Sequence, residues 1–276
     1  MKMNFGLIGY PLTHTMSPFI QARLFEINGI DADYSLYPFP VEDFPKYINT
    51  LKGLDGFNIT IPHKQNIIKY LSRMDEAASR FGAVNTVKNT KNGLEGFNTD
   101  AYGYLSGLEF ASLPLKGKVL MYGYGGVART IAFETLRMGC SLTICTRVGS
   151  MGRAKPLTDE IEKSLGITVP VIEVTSIEEG YDLFVNATPI GMYPKVDASP
   201  LTEEQVSLMG SVFDTIYNPT QTLLLKYAKQ QGIPCSDGLA MLVCQAAQSQ
   251  KIWCGADFTR RQLERVISLT AQELKK

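Results

Sequence analysis

Histidine is almost missing from this chain: 276 residues contain two, His14 and His63. A His-rich metal site or a His-centred proton relay therefore has little to work with, and neither histidine has an acidic neighbour in sequence. We read both as supporting or structural. The five cysteines, Cys140, Cys145, Cys235, Cys244 and Cys254, are odd in number and form no Cys-x-x-Cys. That spacing suggests neither a disulfide framework nor a zinc site and fits free thiols in a reducing cytoplasm. Net charge is absent too, with 27 Lys+Arg against 27 Asp+Glu. Phosphate neutralisation needs a basic face, so a nucleic-acid partner is not expected, although a local basic pocket is not excluded. No apolar run approaches the ~18–20 residues of a membrane span. The opening MKMNFGLIGYPLTH is broken by Gly9, Tyr10 and Pro11, and lacks the apolar core of a signal peptide.

What remains is an ordinary globular composition, 45% hydrophobic and 20% charged. The length favours two domains or one large one, with room for a core that needs no staple. The first hundred residues alternate strand and helix patterns. Met3–Gly9, Asp33–Pro38 and Gly56–Ile61 read as strands, and Val41–Leu51 as a helix. Ser17-Pro18 reads as an N-cap followed by proline at the first helical position, with Gly29 closing that helix. Pro62 is expected to open a helix holding Ile67, Ile68 and Leu71. Val84–Lys88 and Leu94–Asn98 are expected to pair across the turn Asn92-Gly93.

After Thr99 the pattern changes. A helix through Leu108 leads to the strand Lys118–Tyr122, a glycine cluster, a helix over about Arg129–Met138, and a second strand Ser141–Thr146. Further strands are expected at Val169–Glu173, Leu183–Asn186, Val212–Asp214 and near Pro234. A final amphipathic helix starts at Thr259, with Gln262 completing a capping box. No repeat or low-complexity linker separates the halves.

The glycine cluster Gly123-Tyr-Gly125-Gly126-Val127-Ala128 has the form G-x-G-x-x-A. Such a loop between strand and helix needs glycine for the tight turn and for the approach of a pyrophosphate. It then needs a small residue where helix packs on strand. Helix N–H groups and the positive dipole end complete an anion site. The bland alternative is a glycine turn without a ligand. An NAD site places an acid about 20 residues on. Here the second strand ends Cys145-Thr146-Arg147, and no acid follows before Asp159. Arginine suits a 2′-phosphate, Arg153 adds a second positive charge, and NADP is preferred over NAD.

In the first half, polar residues gather at Thr15/Ser17, Asn58/Thr60/Lys64, Asn85 and Asn98/Asp100, each at or beyond an expected strand end. In open α/β sheets, sites form outside the carboxyl ends of strands. These groups can converge on a small polyol or hydroxy acid. A lysine in the first turn of a helix opened by Pro62 would be disfavoured as an ammonium, which suits Lys64 to acid–base work. Each has a plainer reading: Lys64 as a solvated lysine, Asp100 as an N-cap, Ser17 as a cap only.

The motifs together resemble the shikimate dehydrogenase family over nearly the whole chain. They are Gly9-Tyr-Pro11-Leu-Thr-His14-Thr15-Met-Ser17-Pro18, Asn58-Ile-Thr60-Ile-Pro62-His63-Lys64, Gly82-Ala-Val-Asn85-Thr86, and Gly96-Phe-Asn98-Thr99-Asp100-Ala-Tyr-Gly103. The glycine loop follows, and then Asn186-Ala-Thr188-Pro-Ile-Gly191-Met192, Asp214-Thr-Ile-Tyr217-Asn-Pro219 and Gly238-Leu-Ala-Met241-Leu-Val-Cys-Gln245-Ala.

The resemblance implies an N-terminal α/β substrate domain, a Rossmann-type doubly wound cofactor domain, and C-terminal helices returning to the first. Bounds of 1–101 with 240–276, and 102–239, follow. It implies Lys64 and Asp100 as the catalytic pair, and Thr15, Ser17 and Tyr217 at a substrate carboxylate. Asn58, Thr60, Asn85 and Gln245 fall near ring hydroxyls or the carboxylate. Gly123, Gly125, Gly126, Val127, Ala128, Thr146, Arg147, Asn186, Thr188, Gly238 and Met241 fall around the cofactor. The expected activity is reversible NADPH-dependent reduction of 3-dehydroshikimate to shikimate, in chorismate and aromatic amino-acid biosynthesis, by a monomer or homodimer without a metal. A quinate/shikimate dehydrogenase using NAD, a catalytically silent metabolite-binding relative, and a dehydrogenase for another small substrate stand as alternatives. Two departures from the family pattern are present. Thr15 stands for the first serine of S-x-S, and Thr146-Arg147-Val148 for Asn-Arg-Thr.

Overall fold

The computed structural model describes residues 2–13 and 15–276; the reading of His14 lies outside them. In chain order the elements begin β1 (Met3–Gly9), α1 (Ser17–Ile27), β2 (Ala32–Pro38), α2 (Phe44–Lys52), β3 (Gly56–Ile59), β4 (Arg73–Met74) and α3 (Glu76–Phe81). They continue with β5 (Thr86–Thr90), β6 (Gly93–Phe97), α4 (Asp100–Phe110), β7 (Lys118–Tyr122), α5 (Gly126–Arg137), β8 (Ser141–Thr146) and α6 (Lys155–Leu165). Next come β9 (Val171–Glu173), β10 (Leu183–Asn186), α7 (Glu203–Val206), β11 (Val212–Asp214), α8 (Leu223–Gln230), β12 (Cys235–Ser236), α9 (Leu239–Cys254) and α10 (Arg260–Glu273). The chain forms two compact units, one running up to Gly103 and resuming at Val243–Lys276, the other spanning Tyr104–Leu242.

The first unit is built on a six-stranded sheet in the order β2-β1-β3-β5-β6-β4. β1 pairs parallel with β2 and β3, while β5 runs antiparallel to both β3 and β6. The β5–β6 hairpin turns at Gly93, which takes φ +109, a conformation that favours glycine. One face buries Ile8, Phe57, Ile59 and Val87 against Phe39, Phe44 and Leu51. On another face α9 brings Trp253 onto Phe5, ring centroids 4.6 Å apart. The indole N–H donates to the Val87 carbonyl at 2.8 Å, so the one tryptophan is both packed and satisfied.

The second unit is an all-parallel sheet, β12-β11-β10-β7-β8-β9. Counted within the unit, this is the 3-2-1-4-5-6 order of the doubly wound nucleotide-binding fold. Its central strands β7 and β10 are short apolar runs because both faces are covered. Val119, Leu120 and Met121 of β7 and Leu183, Phe184 and Val185 of β10 are fully buried.

Several local expectations are corrected. Ser17 is the first residue of α1, not its cap; Met16 holds the cap position and no side chain caps it. The segment after Pro62 is a string of turns with a 3-10 turn at Ile68–Tyr70 rather than an α-helix. Two carbonyls that a helix needs are taken elsewhere. Val84 N donates to Lys64 O at 2.9 Å, and Asn66 Nδ2 donates to Pro62 O at 3.0 Å. Lys64 thus does not sit in the first turn of a helix, and the dipole argument for its chemistry falls away. Helix α5 starts at Gly126, three residues before the expected Arg129, which places its free N–H groups inside the glycine cluster.

Candidate active site

The first unit gathers a continuous polar network at the ends of β3, β5 and β6. Lys64 Nζ donates to Asp100 Oδ2 at 2.6 Å; the lysine side chain is 24% exposed and the aspartate 7%. Asp100 begins α4, yet its carboxylate does not cap that helix. Its own N–H donates instead to Asn98 Oδ1 at 3.0 Å, and Asn98 Nδ2 is anchored on Ala83 O at 2.9 Å. The plain capping reading of Asp100 is therefore wrong, and its carboxylate is committed to other side chains.

Asn85 is the hub. Its Nδ2 reaches Asp100 Oδ1 at 2.8 Å, Thr99 Oγ1 at 3.0 Å and Gln245 Oε1 at 3.2 Å. Its Oδ1 accepts from Thr99 N at 2.8 Å and from Thr86 Oγ1 at 3.1 Å. Asn58 continues the chain: Nδ2 donates to Thr86 Oγ1 at 3.0 Å and to Ser249 Oγ at 2.9 Å. Its Oδ1 accepts from Tyr34 at 2.9 Å and from Gln21 at 3.1 Å. Gln250 closes the network on Gln21 at 2.8 Å. Lys64, Asp100, Asn85, Asn58 and Gln245, singled out from sequence, are thus joined. Thr86, Thr99, Tyr34, Gln21, Ser249 and Gln250 were missed as site residues. Thr86 and Thr99 lie inside the quoted motifs, but nothing local marks Ser249 or Gln250, which α9 brings in from the far end of the chain.

Thr15 and Ser17 form a separate pair. Thr15 Oγ1 donates to Ser17 Oγ at 3.1 Å and accepts from Ser17 N at 3.2 Å. The retained hydroxyl of Thr15 shapes the loop before α1, with both groups half-buried. Thr60, also half-buried, packs its methyl against Gly9, where any side chain would collide with it. His63 is buried between Phe39 and Phe44, ring centroids 4.6 and 5.1 Å away. Its Nε2 meets the Phe39 carbonyl at 2.8 Å. Burial lowers its pKa, consistent with a structural role.

In the second unit the glycine turn is built as its composition demands. Gly123 takes φ +126, and a side chain there would meet the Ala187 carbonyl oxygen at 2.8 Å. Above Gly125 and Gly126 nothing lies within 4 Å of where a side chain would start. That open space at the N-terminus of α5 is a cradle for an anion. Ala128 is fully buried, the small third position at the helix–strand contact.

Asn186 is fully buried, and its side chain is spent inside the protein. It accepts from Thr188 N at 3.1 Å and Thr188 Oγ1 at 2.7 Å, and donates to Asp214 Oδ1 at 2.9 Å. It shapes the loop after β10 and offers a ligand no free side-chain atom. Asp214 also accepts from Thr222 Oγ1 at 2.7 Å, and burial pushes its carboxyl up to about 6. Tyr217 is half-buried, and burial raises its phenol. Gly238 has a structural reason to be glycine: a side chain there would run into the Thr215 carbonyl. Met241 is buried.

Thr146 is fully buried at the end of β8, and the turn beyond it is exposed. Ser150 N donates to Arg147 O at 3.1 Å, and Gly149 takes φ +71, the pattern of a turn that favours glycine at its third residue. Arg147 is exposed, and its Nε donates to Ser150 Oγ at 3.1 Å. Arg153 is exposed in the 3-10 turn that follows. An acid reaches this turn from the neighbouring strand. Glu173 ends β9, in register with Thr146, and its Oε1 accepts from Gly149 N at 2.7 Å.

A doubly wound parallel sheet with an open glycine cradle, together with a second α/β unit holding a part-buried lysine–aspartate pair, defines a Rossmann-class α/β enzyme. Residues 7–87 match the family model described as the shikimate dehydrogenase substrate binding domain. The chain is 36% identical over 263 residues to the shikimate dehydrogenase (NADP(+)) of Caldanaerobacter subterraneus subsp. tengcongensis, covering 93% of each. A chorismate mutase/shikimate 5-dehydrogenase fusion protein from Clostridium acetobutylicum superimposes with TM-score 0.92 at 32% identity, covering 100% of both chains. Shikimate 5-dehydrogenase from Thermus thermophilus, solved in complex with NADP(H) and shikimate, gives TM-score 0.86 at 31% identity, covering 97% of this chain and 99% of that one. The chain belongs to the shikimate dehydrogenase family. Among the described residues, no helix is long and apolar enough to cross a membrane.

Proposed function

We propose that the protein is an NADP-dependent shikimate dehydrogenase, interconverting shikimate and 3-dehydroshikimate. The observation that carries this reading is the Lys64–Asp100 pair, a half-buried lysine on a buried aspartate 2.6 Å apart and tied by Asn85 to Gln245, in a chain whose relatives bear that activity in their names.

The residues present fit a dinucleotide. The space above Gly125 and Gly126 receives the pyrophosphate on the first N–H groups of α5, with Val127 and Ala128 in that first turn. Arg147 takes the 2′-phosphate through its outer nitrogens. NADP supplies the hydride acceptor in one direction and the donor in the other. Thr188 lies on the loop set by Asn186. Gly238 and Met241 are assigned near the nicotinamide by the resemblance alone.

On the substrate side, Lys64 holds a proton at the reacting oxygen. It gives that proton to the alkoxide as the ketone is reduced, or takes it from the hydroxyl as the alcohol is oxidised. Asp100 fixes the ammonium with one carboxylate oxygen while Asn85 holds the other, so the donor is oriented before substrate arrives. The resemblance assigns Asn58, Thr60, Asn85 and Gln245 near the ring hydroxyls or the carboxylate, and Thr15 with Ser17 to the carboxylate; Asn58 and Asn85, whose amides are bonded within the protein, support that pocket from behind. Tyr217 is assigned to the carboxylate by the resemblance alone. The five cysteines are all free thiols, which supports the cytoplasmic reading. The test is direct: purified protein with shikimate and NADP+ should form NADPH, followed by its near-ultraviolet absorbance. Cofactor binding in a calorimeter with no turnover would instead support the silent metabolite-binding alternative.

A further inference from the structure

We propose that Glu173 is a specificity-determining residue for the cofactor, acting against the 2′-phosphate that Arg147 favours. The inference rests on the reading of the Arg147 turn as the 2′-phosphate site.

The turn over residues 147–150 presents two kinds of anion-binding group. One is the outer face of the Arg147 guanidinium, held in place by the Nε bond to Ser150 Oγ at 3.1 Å. The other is the Gly149 N–H, and here the position is already filled. Glu173 Oε1 accepts from it at 2.7 Å. The carboxylate reaches the turn because β9 runs parallel to β8 with Glu173 beside Thr146. A nucleotide-binding strand of the NAD type puts its acid at the end of the second strand, where it accepts from the ribose 2′-hydroxyl. This chain has arginine there and brings an acid to the same turn from the neighbouring strand.

The two side chains pull cofactor choice in opposite directions. A dianionic 2′-phosphate arriving at this turn competes with the Glu173 carboxylate for the Gly149 N–H and cannot take it without displacing that carboxylate. A neutral 2′-hydroxyl meets an acceptor instead of a repulsion. Arg147 therefore sets the preference for NADP, and Glu173 holds that preference below what the arginine alone would give. The turn keeps its shape when the charge is removed, because Glu173→Gln retains an oxygen for the Gly149 N–H.

The experiment is calorimetric titration of wild type and Glu173→Gln with adenosine 2′,5′-bisphosphate and adenosine 5′-monophosphate, and with NADP+ and NAD+. The first two probes differ by the 2′-phosphate and need no turnover. The variant should bind the bisphosphate and NADP+ about fivefold more tightly, the scale of one partly screened charge. It should bind the monophosphate and NAD+ no better than wild type does. The ratio of the two affinities should rise by the same factor and narrow in high salt. Glu173→Ala, which also gives up the Gly149 acceptor, should shift the ratio in the same direction. An unchanged or lowered ratio in the Gln variant, with wild type binding NADP+ normally, overturns the role of Glu173 and leaves the proposed activity standing. Wild type binding neither dinucleotide overturns both.

Discussion

Asn85 donates to Asp100 Oδ1 at 2.8 Å, the carboxylate oxygen that Lys64 leaves free. The carboxylate is thereby held from both sides, one oxygen on an ammonium and one on an amide. Charge-assisted bonds of this kind are the stronger ones. They immobilise Asp100 at the cost of its freedom to serve any other role, including the helix cap its position invites.

Replacing Asn85 by Ala removes a donor from Asp100 and an acceptor from Thr99 N in one step. Leaving buried polar groups unpaired costs about 1–3 kcal/mol each. We expect a lower urea midpoint and a kcat reduced about tenfold through loss of orientation. An unchanged midpoint would show that the network relaxes around the gap.

Lys64→Ala tests the proton step. If the lysine acts in the transition state, kcat should fall by about 10²–10⁴ while KM moves little. Steady-state kinetics with saturating NADP+ would read this. A kcat within about twofold of wild type removes Lys64 from the mechanism.

Asp214 gives a pH signature to stability. Its folded value is raised from 3.8 to about 6 by burial, so between those values the native state binds more protons than the unfolded chain. Stability from this group is therefore greatest at low pH and declines as pH rises through that window. The full difference is on the order of 3 kcal/mol. His63 acts in the opposite sense. Burial lowers its pKa from 6.5, so its contribution is present above 6.5 and is lost as pH falls. Comparing Asp214→Asn with wild type by urea denaturation from about pH 4 to 7 isolates the first effect. The difference in unfolding free energy should change across the window; a constant difference would contradict the assignment.

Thr259 caps α10 on Gln262 N, and Gln262 returns the bond to Thr259 N at 2.8 Å. Thr259→Ala should cost about 1 kcal/mol, measurable as a lowered melting temperature. Glycine at the same position should cost less.

That capping box was legible because its signal is local: threonine, two residues, glutamine ahead of an apolar period. The strands Lys118–Tyr122, Ser141–Thr146, Leu183–Asn186 and Val212–Asp214 were legible to the residue for a related reason. Each is a buried apolar run with turn residues, glycine or a polar group at its ends. Shorter amphipathic helices escaped, although α3 carries an Asp75 cap and a left-handed Gly82, and α8 a Thr222 cap. The expected helix after Pro62 failed because Val84 takes the Lys64 carbonyl, a tertiary bond no local pattern announces. The site shows the same divide. Lys64, Asp100 and Asn85 stand in dense motifs. Ser249, Gln250 and Glu173 are brought in by a returning helix and by strand pairing, and spacing along the chain cannot reveal them.

The pairing of this substrate with this cofactor is decided by kcat/KM for shikimate and quinate, each with NADP+ and with NAD+, on the same preparation. Shikimate with NADP+ should exceed the other three combinations. Quinate oxidation dominating, or NAD+ matching NADP+ with shikimate, would contradict it.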